Sequence, residues 1–321
     1  MKALRIVIPG GSGQVGKILA RYFHGNGHAV TVLARRASST PWQNLNWDAT
    51  TLGSWTKALD AADVVINLAG RNVNCRYNEA NRREILLSRT ETTSLIGQAI
   101  AKAANPPALW INASTATIYR HTFDRPMDET TGELGGAEDD VPATWRFSID
   151  VAASWEHAFF EASTPRTRKI AVRSAMTMSP DKDGVFDVLL RLVRLGLGGS
   201  AGSGRQFVSW IHEADFVRAI EFLIEHEVLE GAVNLAAPNP LPNKQFMRAL
   251  RSAWGTPIGI PAARWMLEIG ALFLCTETEL ILKSRRVVPG RLLSSGFTFE
   301  FPEWPIAARD LVHRWRSVRG L

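Results

Sequence analysis

The chain has 321 residues, 45% hydrophobic and 21% charged, which is enough apolar surface for one large α/β domain or a domain with a smaller companion. A formal charge of +6 suits an anionic ligand, but no dense Lys/Arg block is present, which argues against a nucleic-acid binder. Cys75 and Cys275 give neither a metal spacing nor a disulfide framework and point to a reducing cytoplasm.

No signal peptide is expected, because Arg5 interrupts the first apolar run and a turn follows at once. That run, Leu4 to Pro9, reads as a buried strand breaking into Gly10-Gly11-Ser12-Gly13-Gln14-Val15-Gly16. Val15, Ile18, Leu19 and Phe23 then recur at helical spacing, so the glycines occupy a strand-to-helix turn. A dinucleotide site requires that context. Glycine allows the tight turn, lets backbone N–H groups approach a pyrophosphate and lets the helix lie close on the strand. The helix N-terminus adds partial positive charge. A purely structural turn would share the glycines; here the strand before, the helix after and the N-terminal position all agree with the nucleotide reading.

A second strand runs from His28 to Ala34 and ends at Arg35-Arg36. In dinucleotide folds this end meets the adenosine ribose. A carboxylate there binds the 2′-hydroxyl of NAD, whereas arginine pairs a 2′-phosphate, so NADP(H) is the expected cofactor. The alternative is two surface arginines closing a strand. Leu45 to Trp47 suggests a third strand, with Asp48 beside the adenine. The fourth, Asp63 to Leu68, ends in Ala69-Gly70, small enough for backbone to approach the cofactor's middle.

A long helix is expected from Asn78 to Ala104, with Glu84, Ser88 and Arg89 in reach of cofactor or substrate; Pro106-Pro107 ends it. Ala108 to Ala113 is a fifth strand, with the Ser114 and Thr115 hydroxyls at its crevice end. Residues 120–145 read as a loop over the site, 146–163 as a helix, and Arg168 to Arg173 as a sixth strand followed by Ser174. Such alternation predicts a doubly wound parallel sheet of Rossmann type, with its ligand crevice at the carboxyl ends of the strands.

After Pro180 the pattern changes. Val185 to Leu197 is an amphipathic helix, followed by a glycine-rich loop over 198–205. That loop contains a literal G-x-S-x-G, but a helix precedes it where a hydrolase elbow needs a strand. Phe207 to Ile211, a helix to about Glu225 and Ala232 to Ala236 add further βα material. From Asn243 the chain is helical and Trp-bearing, with a strand-like run at Phe297 to Phe301. Trp265 to Cys275, the longest apolar stretch, is too short to span a bilayer and includes Glu268. It is expected to pack against a lid or a second subunit, so a homodimer stays open. Arg309, Arg314, Arg316 and Arg319 form the wet side of a last helix whose dry side is Leu311, Val312, Trp315 and Val318.

Several segments together resemble the extended short-chain dehydrogenase/reductase superfamily, in the branch of epimerase-family proteins with a C-terminal domain of unknown function. They are Gly10-x-x-Gly13-x-x-Gly16, Asn67-Leu68-Ala69-Gly70, Glu84-Ile85-Leu86-Leu87-Ser88-Arg89, Ser114-Thr115-Ala116-Thr117-Ile118-Tyr119, Arg191 through Gly199, Gly202-Ser203-Gly204-Arg205-Gln206, Ser209-Trp210-Ile211-His212 and Ala237-Pro238-Asn239-Pro240. The resemblance covers nearly the whole chain. It implies an NADP-binding Rossmann domain over 1–180, rejoined by 206–240, and a smaller, mostly helical substrate domain from 181–205 and 241–321. It also implies cofactor contacts at Leu68, Ala69, Glu84, Arg89, Arg173 and Ser174.

Working members of that superfamily use a Ser or Thr, a Tyr, and a Lys four residues later. The lysine and the cationic nicotinamide favour the phenolate, bringing a tyrosine pKa of about 10 toward working pH. Thr115 matches the first position. The Tyr-x-x-x-Lys is absent: Ser148 stands at the tyrosine position and Ala152 at the lysine position. Tyr119 is the nearby substitute proton donor, or else a packed loop tyrosine. His212 reads as a buried histidine before a helix capped by Asp215. Val208 stands where nucleotide-sugar members commonly carry a diphosphate-gripping arginine, with Arg205 close by. Two functions follow: an NADP(H)-dependent oxidoreductase or epimerase acting on a small molecule, or a catalytically impaired NADP(H)-binding regulatory protein.

Overall fold

The computed structural model describes residues 3–36, 39–139, 141–263, 265–266 and 277–320. Its centre is a seven-stranded sheet of β1 (Arg5–Pro9), β2 (Ala29–Ala34), β3 (Gln43–Asn46), β4 (Val64–Asn67), β5 (Leu109–Thr115), β6 (Arg168–Ser174) and β10 (Gly231–Leu235). The spatial order is β10-β6-β5-β4-β1-β2-β3, and every pairing is parallel. The order reverses between β1 and β4, the place where such sheets open a ligand crevice. The expected doubly wound Rossmann-type sheet is present.

The central strands are buried because helices cover both faces, while the edge strand β3 stays partly exposed. On one face α1 (Gln14–Gly25) and α5 (Glu213–Glu225) pack Ile18, Leu19, Phe23, Phe216 and Ile220 onto the Ile6, Ile8, Val32, Ile111 and Val172 side of the sheet. On the other, α2 (Glu79–Lys102) and α3 (Ala143–Phe160) bring Leu95, Ile96, Ile100 and Phe159 against Val7, Val65, Trp110 and Ala171. Asn78 starts α2 by accepting a hydrogen bond from the Asn81 amide. The observed α3 begins three residues before the expected start.

A second apolar core lies away from the sheet. It joins α4 (Val185–Arg194), α6 (Asn243–Trp254) and the C-terminal helix Trp304–Arg319 through Phe186, Leu190, Phe246, Trp210, Trp304 and Trp315. The expected strand at Phe207 to Ile211 is broken at Ser209. β8 (Phe207–Val208) pairs antiparallel with β11 (Leu241–Pro242), while β9 (Trp210–His212) pairs parallel with β7 (Met176–Met178). Ser209 accounts for the break, since its hydroxyl donates to the Arg285 carbonyl and accepts from the Val287 amide.

The Phe297–Phe301 run is no strand. Phe297 enters the main core, and the amides of Glu300 and Phe301 donate to the two carboxylate oxygens of Asp215 at 2.8 Å each. Asp215 therefore does not cap α5. His212 does, accepting from the Ala214 amide through Nδ1, with Nε2 3.0 Å from Asp310. Burial holds its imidazole near pKa 4, so it is neutral at physiological pH. The Trp265–Cys275 stretch lies largely outside the described residues.

Candidate active site

The turn after β1 is shaped by close approach. Gly10 has a φ of +75°, and a Cβ there would stand 2.7 Å from the Ala69 backbone. A Cβ on Gly16 would meet Gly11 at 2.4 Å, which is what lets α1 start hard against the turn. Gly13 is different: a Cβ there would meet only the Gly10 carbonyl, at 3.9 Å. Packing explains two of the three spaced glycines and leaves the third, exposed, without a packing demand. No side chain caps α1 and no acidic residue sits in its first turn, so its leading amides and positive end are available to an anion.

The opposite lip is held by a buried polar ladder. Asn67 accepts from the Ala69 amide, which fixes the Leu68-Ala69 turn, and donates to Asn112 at 2.7 Å and Thr93 at 3.2 Å. Between the lips runs a cavity of about 270 Å³, lined by Gln14, Val15, Leu68, Ser114, Ser174 and Thr177 among others. The Gln14 Nε2 is buried without a hydrogen-bond partner among the described residues. It lies against Gly184 at the start of α4, where a Cβ would come within 1.9 Å. A buried amide left unmatched at a crevice wall suits a polar ligand, because an orphaned donor costs about 1–3 kcal/mol.

Arg35 and Arg36 are exposed at the end of β2, beside this crevice end of the sheet. A pyrophosphate at the glycine turn and a phosphorylated ribose at these arginines fit the residues present. Among those residues no group of three His, Cys, Asp or Glu could hold a metal ion.

A second cavity, of about 290 Å³, adjoins the first and shares Ser114, Ser174 and Ala175 with it. Its walls are mostly apolar: Val73, Tyr77, Ile85, Phe147, Val151 and Trp155. Thr115, Ser148 and Ala152 line it as well, so the two positions where Tyr and Lys were expected do face the crevice. Thr115 accepts from the Thr117 amide at 3.2 Å. Arg89 closes one side, its guanidinium donating to the carbonyls of Ile85 and Arg71 and stacking 5.1 Å from the Trp155 ring; burial lowers its pKa to about 10.

Five residues expected at the site are engaged with other groups. Tyr119 is 2% exposed and lines neither cavity; its hydroxyl donates to Asn234 at 2.9 Å and accepts from Arg173 at 3.0 Å. Burial raises its pKa further, which unsuits it as a proton donor to the crevice. Arg173, expected at the cofactor, lines neither cavity with its side chain. It makes a bidentate pair with buried Glu156, at 2.8 and 2.7 Å, and Ser114 donates to the same carboxylate. Burial opposes the Arg173 charge, but Glu156 more than compensates and raises its pKa. Glu84 is exposed and ion-paired with Arg71. Asp48 closes its own turn, accepting from the amides of Thr50 and Thr51. Arg205 is exposed and lies over Phe123.

Three cavity residues escape sequence reasoning. Tyr77 precedes the α2 cap in a stretch without periodicity. Glu279 and Arg285 come from the C-terminal segment, where the charged residues Glu277, Glu279, Lys283, Arg285 and Arg286 look like a solvated face. Glu279 is instead 1% exposed; it accepts from the Ser148 hydroxyl, and its other oxygen is 3.6 Å from Arg285.

An open glycine cradle at the β1–α1 turn, a reversal between β1 and β4, and a second core beyond the strand ends define an extended short-chain dehydrogenase/reductase fold. Sequence comparison agrees: residues 6–236 match the NAD dependent epimerase/dehydratase family and 262–311 match a domain of unknown function, DUF1731. The chain belongs to the NAD dependent epimerase/dehydratase family. Among curated relatives it is 32% identical to the bovine epimerase family protein SDR39U1, over 96% of this chain and 100% of that one. It is 27% identical to YfhF of Bacillus subtilis, over 98% and 100%. Among solved structures it superposes on human SDR39U1, isoform 2, with NADPH: TM-score 0.84, 30% identity, covering 97% of this chain and 99% of that one.

Proposed function

We propose that the protein is an NADP(H)-dependent oxidoreductase of the extended short-chain dehydrogenase/reductase type, acting on a small molecule in the second cavity. The observation that carries this reading is Gly13, an exposed glycine that no packing demand explains, at the uncapped helix N-terminus whose next residues, Gln14 and Val15, line the first cavity. Arg35 and Arg36 at the ribose end support NADPH over NADH, as does the NADPH bound to the human relative. When bound, the cofactor supplies or takes a hydride. The backbone amides of Ser12 to Val15 hold its pyrophosphate, and the Leu68-Ala69-Gly70 turn flanks its middle. Thr115 offers a hydroxyl toward the reacting centre.

The division of labour runs along the chain: residues 1–180 and 206–240 hold the cofactor, while 181–205 and 241–321 close the substrate side. The separate apolar core of α4, α6 and the C-terminal helix supports that division. Among the described residues no helix is long and apolar enough to cross a membrane, and the free thiol of Cys75 suits a reducing, cytoplasmic setting. The test has two parts. Mass spectrometry of nucleotide released from purified protein should show NADP(H), and nicotinamide absorbance should change with some member of a panel of carbonyl compounds. NADP(H) bound without turnover of any member would count against catalysis.

The second reading is an NADP(H)-dependent regulatory protein, favoured by Ser148 and Ala152 at the positions of the missing pair. Pull-downs in NADP and in NADPH that recover different partners would support it. Identical sets would remove it.

A further inference from the structure

The missing Tyr–Lys pair leaves the cavity without its usual proton source, yet a carboxyl group lines it beside the residue at the tyrosine position. Glu279 begins the short helix Glu279–Leu282 of the C-terminal segment and is carried into the cavity wall. One of its oxygens accepts from Ser148, the residue at the expected tyrosine position. The other has no hydrogen-bond partner among the described residues and lies 3.6 Å from Arg285 Nη2. Arg285 is itself tied to Thr117 through Nε at 3.2 Å. We infer that Glu279 is the proton donor of this site, serving the carbonyl oxygen of a small aldehyde or ketone with an apolar body.

This rests on the NADPH-dependent reading above and names its substrate class. The carbonyl carbon would take a hydride from bound NADPH, which would leave as NADP⁺. The Glu279 proton passes to the carbonyl oxygen, the C=O becomes CH–OH, and a carboxylate remains at Glu279. Arg285 stabilises that carboxylate until water reprotonates it. The cavity size, at the small end of ligand pockets, and the Tyr77, Phe147 and Trp155 walls select an apolar body. A nucleotide diphosphate would have to set its charges among those rings.

Burial favours the neutral carboxyl, raising the Glu279 pKa above the ordinary value. The groups facing it act in both directions. Arg285 and Lys283, on its own segment, and Ser148, on α3, favour the charged form, whereas Glu277 disfavours it. Tyr77, whose pKa burial also raises, adjoins Ser148 and Glu279 from the segment before α2. From that same segment Arg76 pairs with Glu277 at 3.4 Å. His121, from the β5–α3 connection, accepts from the Ser284 amide, next to Lys283.

The test uses the full chain, its Glu279→Gln and Glu279→Asp variants, NADPH, and 4-nitrobenzaldehyde as the probe. Infrared difference spectra of the cofactor-free protein from pH 5 to 9 should show a protonated carboxyl band that E279Q lacks and that persists above the range of an ordinary glutamate. With NADPH, E279Q should lower kcat for the probe at least about 100-fold with KM changed less than about threefold, and E279D should recover part of it. NADPH affinity should be the same in all three proteins. Absence of the band in the wild type, an E279Q kcat near the wild type, or bound NADPH with no reduction of the probe would each overturn the proposal. Should E279Q fail to fold, the wild-type spectrum from pH 5 to 9 and E279D decide it. Failure of NADPH to bind would overturn the cofactor reading itself, a distinguishable result.

Discussion

The two halves of the crevice are built by opposite strategies. The cofactor half is written in consecutive residues: Gly10 to Gly16, Leu68 to Gly70, and the arginines that end β2. Its work is done by backbone amides, so it depends on what is missing, namely a Cβ at Gly13 and a capping side chain on α1. The substrate half is assembled from Tyr77, Ser148, Glu279 and Arg285, which are scattered over some two hundred positions and meet only after folding. A site made of backbone tolerates change around it but not within it. A site made of distant side chains can exchange its chemistry one residue at a time.

The largest effect should come from beneath both halves. Arg173→Leu leaves buried Glu156 with Ser114 as its remaining partner among the described residues and should destabilise the fold by about 3–5 kcal/mol in denaturant unfolding. A cofactor-contact role would instead leave stability intact and lower NADPH affinity. Next comes Arg35→Glu, which should weaken NADPH by about 1.5–3 kcal/mol, ten- to a hundredfold, while sparing NADH. Equal losses for both nucleotides in calorimetry would remove the 2′-phosphate from the argument.

Gly13→Ala sharpens the comparison further. A Cβ there meets nothing closer than 3.9 Å, so melting should be unchanged while NADPH affinity falls about tenfold. A drop in melting temperature with full affinity would make Gly13 a structural glycine. The smallest effect is a pH dependence. A 2′-phosphate takes up a proton below about pH 6 and loses charge, so the preference for NADPH over NADH should shrink by a few-fold from pH 7.5 to 5.5. A preference that grows in acid would point away from Arg35 and Arg36.

Much of the fold was legible because β-α alternation is local: strand, glycine turn and amphipathic helix announce themselves within a dozen residues. Ser209 and Phe297 show where that ends. An apolar run reads as a strand until a hydroxyl breaks it to bond Arg285 and Val287, or until no sheet edge is there to receive it. At the site, the glycine turn could be read and the acid could not. Glu279 beside Lys283 and Arg285 has the pattern of a wet surface, and only the tertiary fold turns it inward against Ser148. Tyr119 erred the other way, since its position after Thr115 suggests chemistry while Arg173 and Asn234 claim its hydroxyl.

The central claim is that the β1–α1 turn grips the pyrophosphate of a 2′-phosphorylated dinucleotide. Calorimetric titration of the purified, nucleotide-stripped protein tests it most directly. One NADPH should bind per chain, at least about tenfold more tightly than NADH. Heat signals indistinguishable from buffer for both nucleotides would contradict the account.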